Sequence, residues 1–227
     1  STADDHLQKM RAAGRTSALV VPVLAMQREE YQCEAETWMN ARGIAVDRAP
    51  DPAGDPAVPD QLAAGLVLPL EGTRYVLIEP PFFSYPDWVD QLFFHLQLQG
   101  FRPVIAHPER NIEIQENPSI LARLVARGVL SQVTAGSLLG HFGQDVQKTT
   151  VTLLERNLAH VMATDAHAAE GPRAPLLARA VEAASALVGP TRAEALVTAV
   201  PQAIVEGRPV VGEPVQPPSR RFHLFRR

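Results

Sequence analysis

Three short apolar runs in this chain each end on side chains able to bind a metal ion or an anion. Val104-Ile105-Ala106, with Pro103 at its mouth, runs into His107, Glu109 and Arg110. His160-Val161-Met162-Ala163 runs into Thr164-Asp165-Ala166-His167, and in extended chain residues two apart point the same way, so Asp165 and His167 form a carboxylate and imidazole pair. Tyr75-Val76-Leu77-Ile78 closes on Glu79, where Pro80 and Pro81 bar further strand. Carboxylates and imidazoles together suit Mn, Fe or Zn. Arg110 adds a planar fork that matches phosphate oxygens.

Such residues need a scaffold that brings strand ends together, and the chain between them supplies one. The apolar runs read as buried parallel strands. Between them Tyr85 to Gly100 carries Trp88, Val89, Leu92, Phe93 and Leu96 at helical spacing and stops on glycine. Ile120 to Arg127 is a shorter helix stopped by Gly128, followed by a strand at Val129 to Val133 and a turn at Ala135-Gly136-Ser137. Val146 to Arg156, Leu176 to Val188, Arg192 to Val197 and Gln202 to Glu206 complete the helices. Strand and helix alternate, which predicts an α/β fold with a parallel sheet or barrel, and the strands at 76–79, 104–106, 129–133 and 160–163 are expected to be parallel neighbours.

Earlier in the chain, a helix is expected up to Gly14, a strand over Ala18 to Leu24, a helix over Glu29 to Arg42 and a strand over Gly43 to Val46. Residues 47–60, with four prolines and four aspartates, read as a surface loop. A single domain is expected over residues 1–213, with a proline-rich, basic tail over 214–227 projecting from it. His95, His141, His160 and His223 are given no functional role.

Composition limits the partners. The 227 residues, 46% hydrophobic and 20% charged, suffice for a sizeable core. A net charge of −4 offers no electrostatic footprint for nucleic acid. Cys33 is the single cysteine, so no intrachain disulfide ties the chain to an oxidising compartment. The run from Ala18 to Met26 is too short to span a bilayer, so no membrane insertion is expected and the expected location is cytoplasmic.

Ala106-His107-Pro108-Glu109-Arg110, Gln132-Val133-Thr134-Ala135-Gly136-Ser137-Leu138-Leu139-Gly140 and Thr164-Asp165-Ala166-His167 with Arg173 resemble, in order and spacing, the bacterial tyrosine-protein phosphatases of capsular and exopolysaccharide systems. These belong to the PHP (polymerase and histidinol phosphatase) superfamily. The resemblance covers about Leu66 to Gly207. It implies a distorted β/α barrel with divalent metals, manganese first and Fe, Zn, Mg or Co as alternatives, at the C-terminal mouth. It implies hydrolysis of phosphotyrosine on a tyrosine-phosphorylated protein, such as a polysaccharide-system tyrosine kinase. It assigns Glu79, His107, Asp165 and His167 as metal ligands, and Arg110 and Arg173 as catalytic, phosphate-contacting arginines. A metal pair of that kind polarises the phosphoryl group and draws hydroxide from water.

The sequence also departs from that family. The family's His-x-His pair has no counterpart among these residues, Val23 stands where a Thr-Pro-His block carries its histidine, and Asp47-Arg48-Ala49-Pro50 does not match the block that carries a further family carboxylate after the second strand. The resemblance therefore implies a reduced metal site. Three readings stay open: a metal-dependent phosphatase with fewer ligands, a pseudophosphatase that binds phosphotyrosine or a partner without turnover, and a PHP phosphoesterase for a small phosphorylated metabolite.

Overall fold

A computed structural model describes residues 69–70, 73–166 and 177–217 of the chain. The strand, helix and loop readings before Pro69 lie outside the described residues, as do His167, Arg173 and the last ten positions of the tail. Within them, four strands alternate with helices. β1 (Tyr75–Ile78) leads to α1 (Asp87–Leu98) and β2 (Arg102–Ala106). A single 3-10 turn (Pro108–Arg110), α2 (Ile112–Glu116) and α3 (Ser119–Ala126) carry the chain to β3 (Leu130–Thr134). After β3 come α4 (Ala135–Leu138), α5 (Gln144–Glu155) and β4 (Val161–Ala163), then α6 (Leu177–Val188), α7 (Pro190–Ala195) and α8 (Ala199–Val205).

The strands pair in parallel in the order β1-β2-β3-β4, as the sequence predicts. Each pair is joined through at least one helix, the connection that parallel neighbours require. Pro103 lies inside β2 rather than at its mouth. It is matched to Val76 of β1 alone, because pairing with β3 begins one residue later at Val104, so its missing N–H leaves no gap in the ladder.

The apolar character of β1, of Val104 to Ala106 in β2 and of β4 follows from burial on both faces, while β3 interleaves Ser131, Gln132 and Thr134 with Leu130 and Val133. Val76, Ile78, Ile105, Val133 and Met162 face one core, filled by Leu92, Phe93 and Leu96 of α1, Leu121 and Leu124 of α3, Leu153 and Leu154 of α5, and Ala180 and Ala184 of α6. Tyr75, Leu77, Val104, Ala106, Leu130 and Val161 face the other way, against Leu70 and Ile204. Gly100 and Gly128, with φ of 80° and 87°, close α1 and α3 where the sequence places their stops.

Two local readings change. Ala135-Gly136-Ser137 is the start of a short helix rather than a turn, with the Leu139 N–H returning to the Ala135 carbonyl. Residues 214–216, expected to project with the rest of the tail, are held against the body. Asn157 Nδ2 donates to the Pro214 carbonyl at 2.9 Å, Gln216 N donates to the Arg156 carbonyl at 2.9 Å, and Val215 packs on the core.

Candidate metal and phosphate site

The site lies at the C-terminal ends of the strands, where parallel α/β sheets present their loops. His107 leaves β2 with φ of 29°, its N–H held by the Gln132 carbonyl of β3 at 2.7 Å. A non-glycine residue in that region costs about 1–3 kcal/mol and persists when its surroundings enforce it. Here Pro108, at the first position of the 3-10 turn, sets the exit direction, and the Arg110 N–H donates to the His107 carbonyl at 3.0 Å. Among the described residues the non-glycine positions with positive φ are His107, Asn157 and Asp165, so two of the three are predicted site residues.

The turn sends its side chains in opposite directions. Arg110 points into the mouth. Glu109 points into the protein, where it is fully buried. Its Oε1 accepts from the Thr134 N–H at 2.9 Å and the Ser137 hydroxyl at 2.7 Å, while Oε2 has no hydrogen-bond partner among the described residues. Burial pushes the Glu109 pKa above the usual carboxylate range, outweighing the opposing pull of His107 and of the Thr134 and Ser137 bonds. Glu109 thus pins the exit of β2 to the exit of β3.

Glu79 and His107 come together. Glu79 Oε1 lies 3.4 Å from His107 Nε2, across the ends of the adjacent strands β1 and β2. Asp165 follows β4, and its Oδ2 lies 3.4 Å from Arg110 Nη1. The four described candidates therefore sit at one end of the sheet as two pairs. Their donor types fit a divalent ion, although among the described residues no three His, Cys, Asp or Glu side chains gather closely enough to enclose one. His167 and Arg173, the remaining expected members, lie outside the described residues.

The loop after β1 brings aromatic residues to the same place. Asn111 Nδ2 donates to the carbonyls of Pro81 at 2.6 Å and Ser84 at 2.8 Å, and the Ile112 N–H donates to the Phe82 carbonyl at 2.9 Å. The Phe82 ring stacks on His107 with centroids 5.4 Å apart. Arg110 Cζ lies 4.6 Å from the centre of that ring and 4.7 Å from the centre of Phe142. Sequence reasoning missed Glu109 as an internal tie and Phe82 and Phe142 as neighbours of the site. The Pro-Pro-Phe-Phe run directly after a strand end was the available signal for Phe82; nothing local marked Phe142.

Known proteins resemble the chain. A 110-residue stretch is 52% identical to the tyrosine-protein phosphatase YwqE of Bacillus subtilis, covering 48% of this chain and 43% of that protein. A 114-residue stretch is 43% identical to the putative tyrosine-protein phosphatase CapC of Staphylococcus aureus, covering 48% of this chain and 45% of the relative. The matched stretch thus spans about half the length of these curated relatives. Among solved structures, one described as YwqE from Bacillus subtilis and CpsB from Streptococcus pneumoniae, metal-dependent tyrosine phosphatases, superposes with a TM-score of 0.68 at 34% identity, over 84% of this chain and 77% of its own. The profile of the capsular polysaccharide synthesis family CpsB/CapC matches residues 55–206, well over half the sequence, and the chain belongs to that family.

Proposed function

We propose that the chain is a metal-dependent phosphoester hydrolase that removes phosphate from tyrosine in a protein, within a system that regulates capsule or exopolysaccharide synthesis. The observation that carries this reading is the convergence of Glu79, His107, Arg110 and Asp165 on the exits of three strands of one parallel sheet. Family membership supplies the reaction class, since relatives in the family are tyrosine-protein phosphatases.

In this reading Glu79, His107, Asp165 and His167 hold a divalent cation, manganese being the first candidate. The ion, when bound, supplies Lewis-acid polarisation of the phosphoryl group and acidifies water. Arg110 and Arg173 bind the phosphate oxygens through charge-assisted hydrogen bonds and offset the charge that develops on them. Arg110 reaches the phosphate by exchanging its 3.4 Å contact with Asp165, which is long for a hydrogen bond, for shorter ones. The substrate is a tyrosine-phosphorylated protein, and a polysaccharide-system tyrosine kinase is the proposed partner.

A second reading, binding of phosphotyrosine without turnover, is favoured by Val23 in the place of a family histidine. Turnover of para-nitrophenyl phosphate and of a phosphotyrosine peptide in added manganese separates the two. Hydrolysis abolished by His107→Ala supports the enzyme. Peptide binding that depends on Arg110, with no hydrolysis in any divalent metal, supports the binding module.

A further inference from the structure

The guanidinium of Arg110 has two phenyl rings within cation–π distance, and they arrive from different parts of the chain. Phe82 comes from the loop after β1, and Phe142 from the link between α4 and α5. Neither is a core residue, since both rings are half-buried. Each is nevertheless held by its backbone. The Phe82 loop is bolted to the Arg110 turn by Asn111 and Ile112, as described above. The Phe142 turn is closed by the His141 N–H on the Gly136 carbonyl at 2.9 Å and by Gln147 Nε2 on the Leu138 carbonyl at 2.9 Å.

We propose that Phe82 and Phe142 are positioning residues that hold the Arg110 guanidinium ready for a phosphate group. This rests on the reading of Arg110 as a phosphate-binding residue. An arginine at an open mouth has many rotamers, and fixing one on binding costs affinity unless it is already fixed. Aromatic rings suit the task because they attract the π-face of the guanidinium and offer its N–H edge no acceptor that competes with phosphate. A carboxylate clamp would hold the arginine but occupy the same donors. Among the described residues the side-chain polar contact of Arg110 is to Asp165 at 3.4 Å, long for a hydrogen bond, and the two rings add a restraint that leaves the guanidinium donors open.

The clamp also explains why three strand exits are tied together. Phe82 belongs to the exit of β1, Arg110 to that of β2, and Phe142 follows α4 at the exit of β3. Glu109, bonded to Thr134 and Ser137, locks the second of these to the third. A shift of either neighbouring loop would therefore turn the arginine.

The test uses the full chain with Phe142→Leu, Phe82→Leu and the ring-conserving Phe142→Tyr, each alone and with Arg110→Ala. Inorganic phosphate is the probe, titrated calorimetrically, and the NMR shift of the Arg110 Nε–H group reports the rings directly through their ring currents. Each Leu variant should weaken phosphate binding about three- to tenfold and move that Nε–H signal downfield, while Phe142→Tyr stays within about twofold of the parent. In the Arg110→Ala background the Leu changes should have no further effect. Phosphate affinity unchanged by either Leu variant, or weakened equally with and without Arg110, overturns the clamp. If Arg110→Ala itself binds phosphate like the parent, the phosphate reading of Arg110 falls and takes the clamp with it, a result distinct from failure of the clamp alone.

Discussion

A three-residue turn separates two tasks that the sequence places side by side. His107 and Arg110 face the site, and Glu109 between them is an internal strut. The positions of His107, Glu79 and Asp165 at strand exits were legible because each follows an apolar run whose end stands out in the sequence. Glu109 was not, because a 3-10 turn reverses direction within three residues and leaves no periodicity to read. The first prediction concerns Arg110. Arg110→Ala should weaken phosphopeptide binding by about 1.5–3 kcal/mol, the range for hydrogen bonds to charged groups, and Arg110→Lys should restore only part of it, having a point charge without the fork. Fluorescence anisotropy of a labelled phosphopeptide measures both; full rescue by lysine would show that charge alone is recognised.

His160 carries a second prediction at the same scale. It lies at the opposite end of β4 from the site, buried, with Nδ1 accepting from the Ser131 N–H at 3.1 Å. Burial, with a smaller contribution from the nearby Arg192 guanidinium, lowers its pKa from 6.5 to about 4. Since the folded state resists protonation, the unfolded state binds more protons between those values. The stabilisation is therefore complete above pH 6.5 and is lost as pH falls towards 4. The full effect is on the order of 3 kcal/mol at about 1.36 kcal/mol per pKa unit. Urea midpoints measured from pH 7.5 to 4 should fall steeply in the parent and more gently in His160→Gln; parallel curves would mean that another group dominates the acid transition.

Among elements, those that bury apolar side chains were the readable ones. β1 to β4, α1, α3 and α5 match their expected positions within a few residues, because two-sided burial leaves a strong pattern. α2 and α4, of five and four residues, are too short for such a pattern; α2 is capped by Asn111 Oδ1 accepting from the Ile114 N–H at 3.0 Å, and α4 has no side-chain cap. Residues 214–216 were misread for a similar reason: their composition is that of a free tail, but their main chain is tied to Asn157 and Arg156. The preceding residues are held in the same way, the Tyr75 hydroxyl donating to the Arg208 carbonyl at 2.8 Å and accepting from the Val210 N–H at 3.1 Å. Gly212 tests that attachment. A Cβ there would lie 2.6 Å from His160 Nε2, and the imidazole cannot swing away without losing Ser131. Gly212→Ala should cost about 1–3 kcal/mol of stability by overpacking, read as a lowered urea midpoint. A neutral result would show that the segment lifts off the strand ends at little cost.

Across the whole molecule, one sheet carries two separate arrangements. The candidate site occupies the C-terminal ends of β1, β2 and β4, while the segment 208–217 with Tyr75, His160 and Asn157 secures the N-terminal ends. The three residues of β4 that separate His160 from the Asp165 end span about 10 Å, at the edge of the range within which substitutions usually couple. No helix among the described residues is long and apolar enough to cross a membrane. The last prediction follows from that separation. Gly212→Ala should lower stability while leaving the phosphate affinity of the folded protein unchanged, and Arg110→Ala should do the reverse. In the double variant the stability changes should add within about 0.5 kcal/mol, as expected for distant sites with no shared partners. The sheet between them is filled by Val104, Ile105, Leu130, Val133 and Met162, all buried, and such a core transmits strain only if it has a second packing to move into. Phosphate affinity that falls more than about threefold in Gly212→Ala, measured well below its unfolding temperature, would reveal such a second arrangement and make the C-terminal segment part of the site's control.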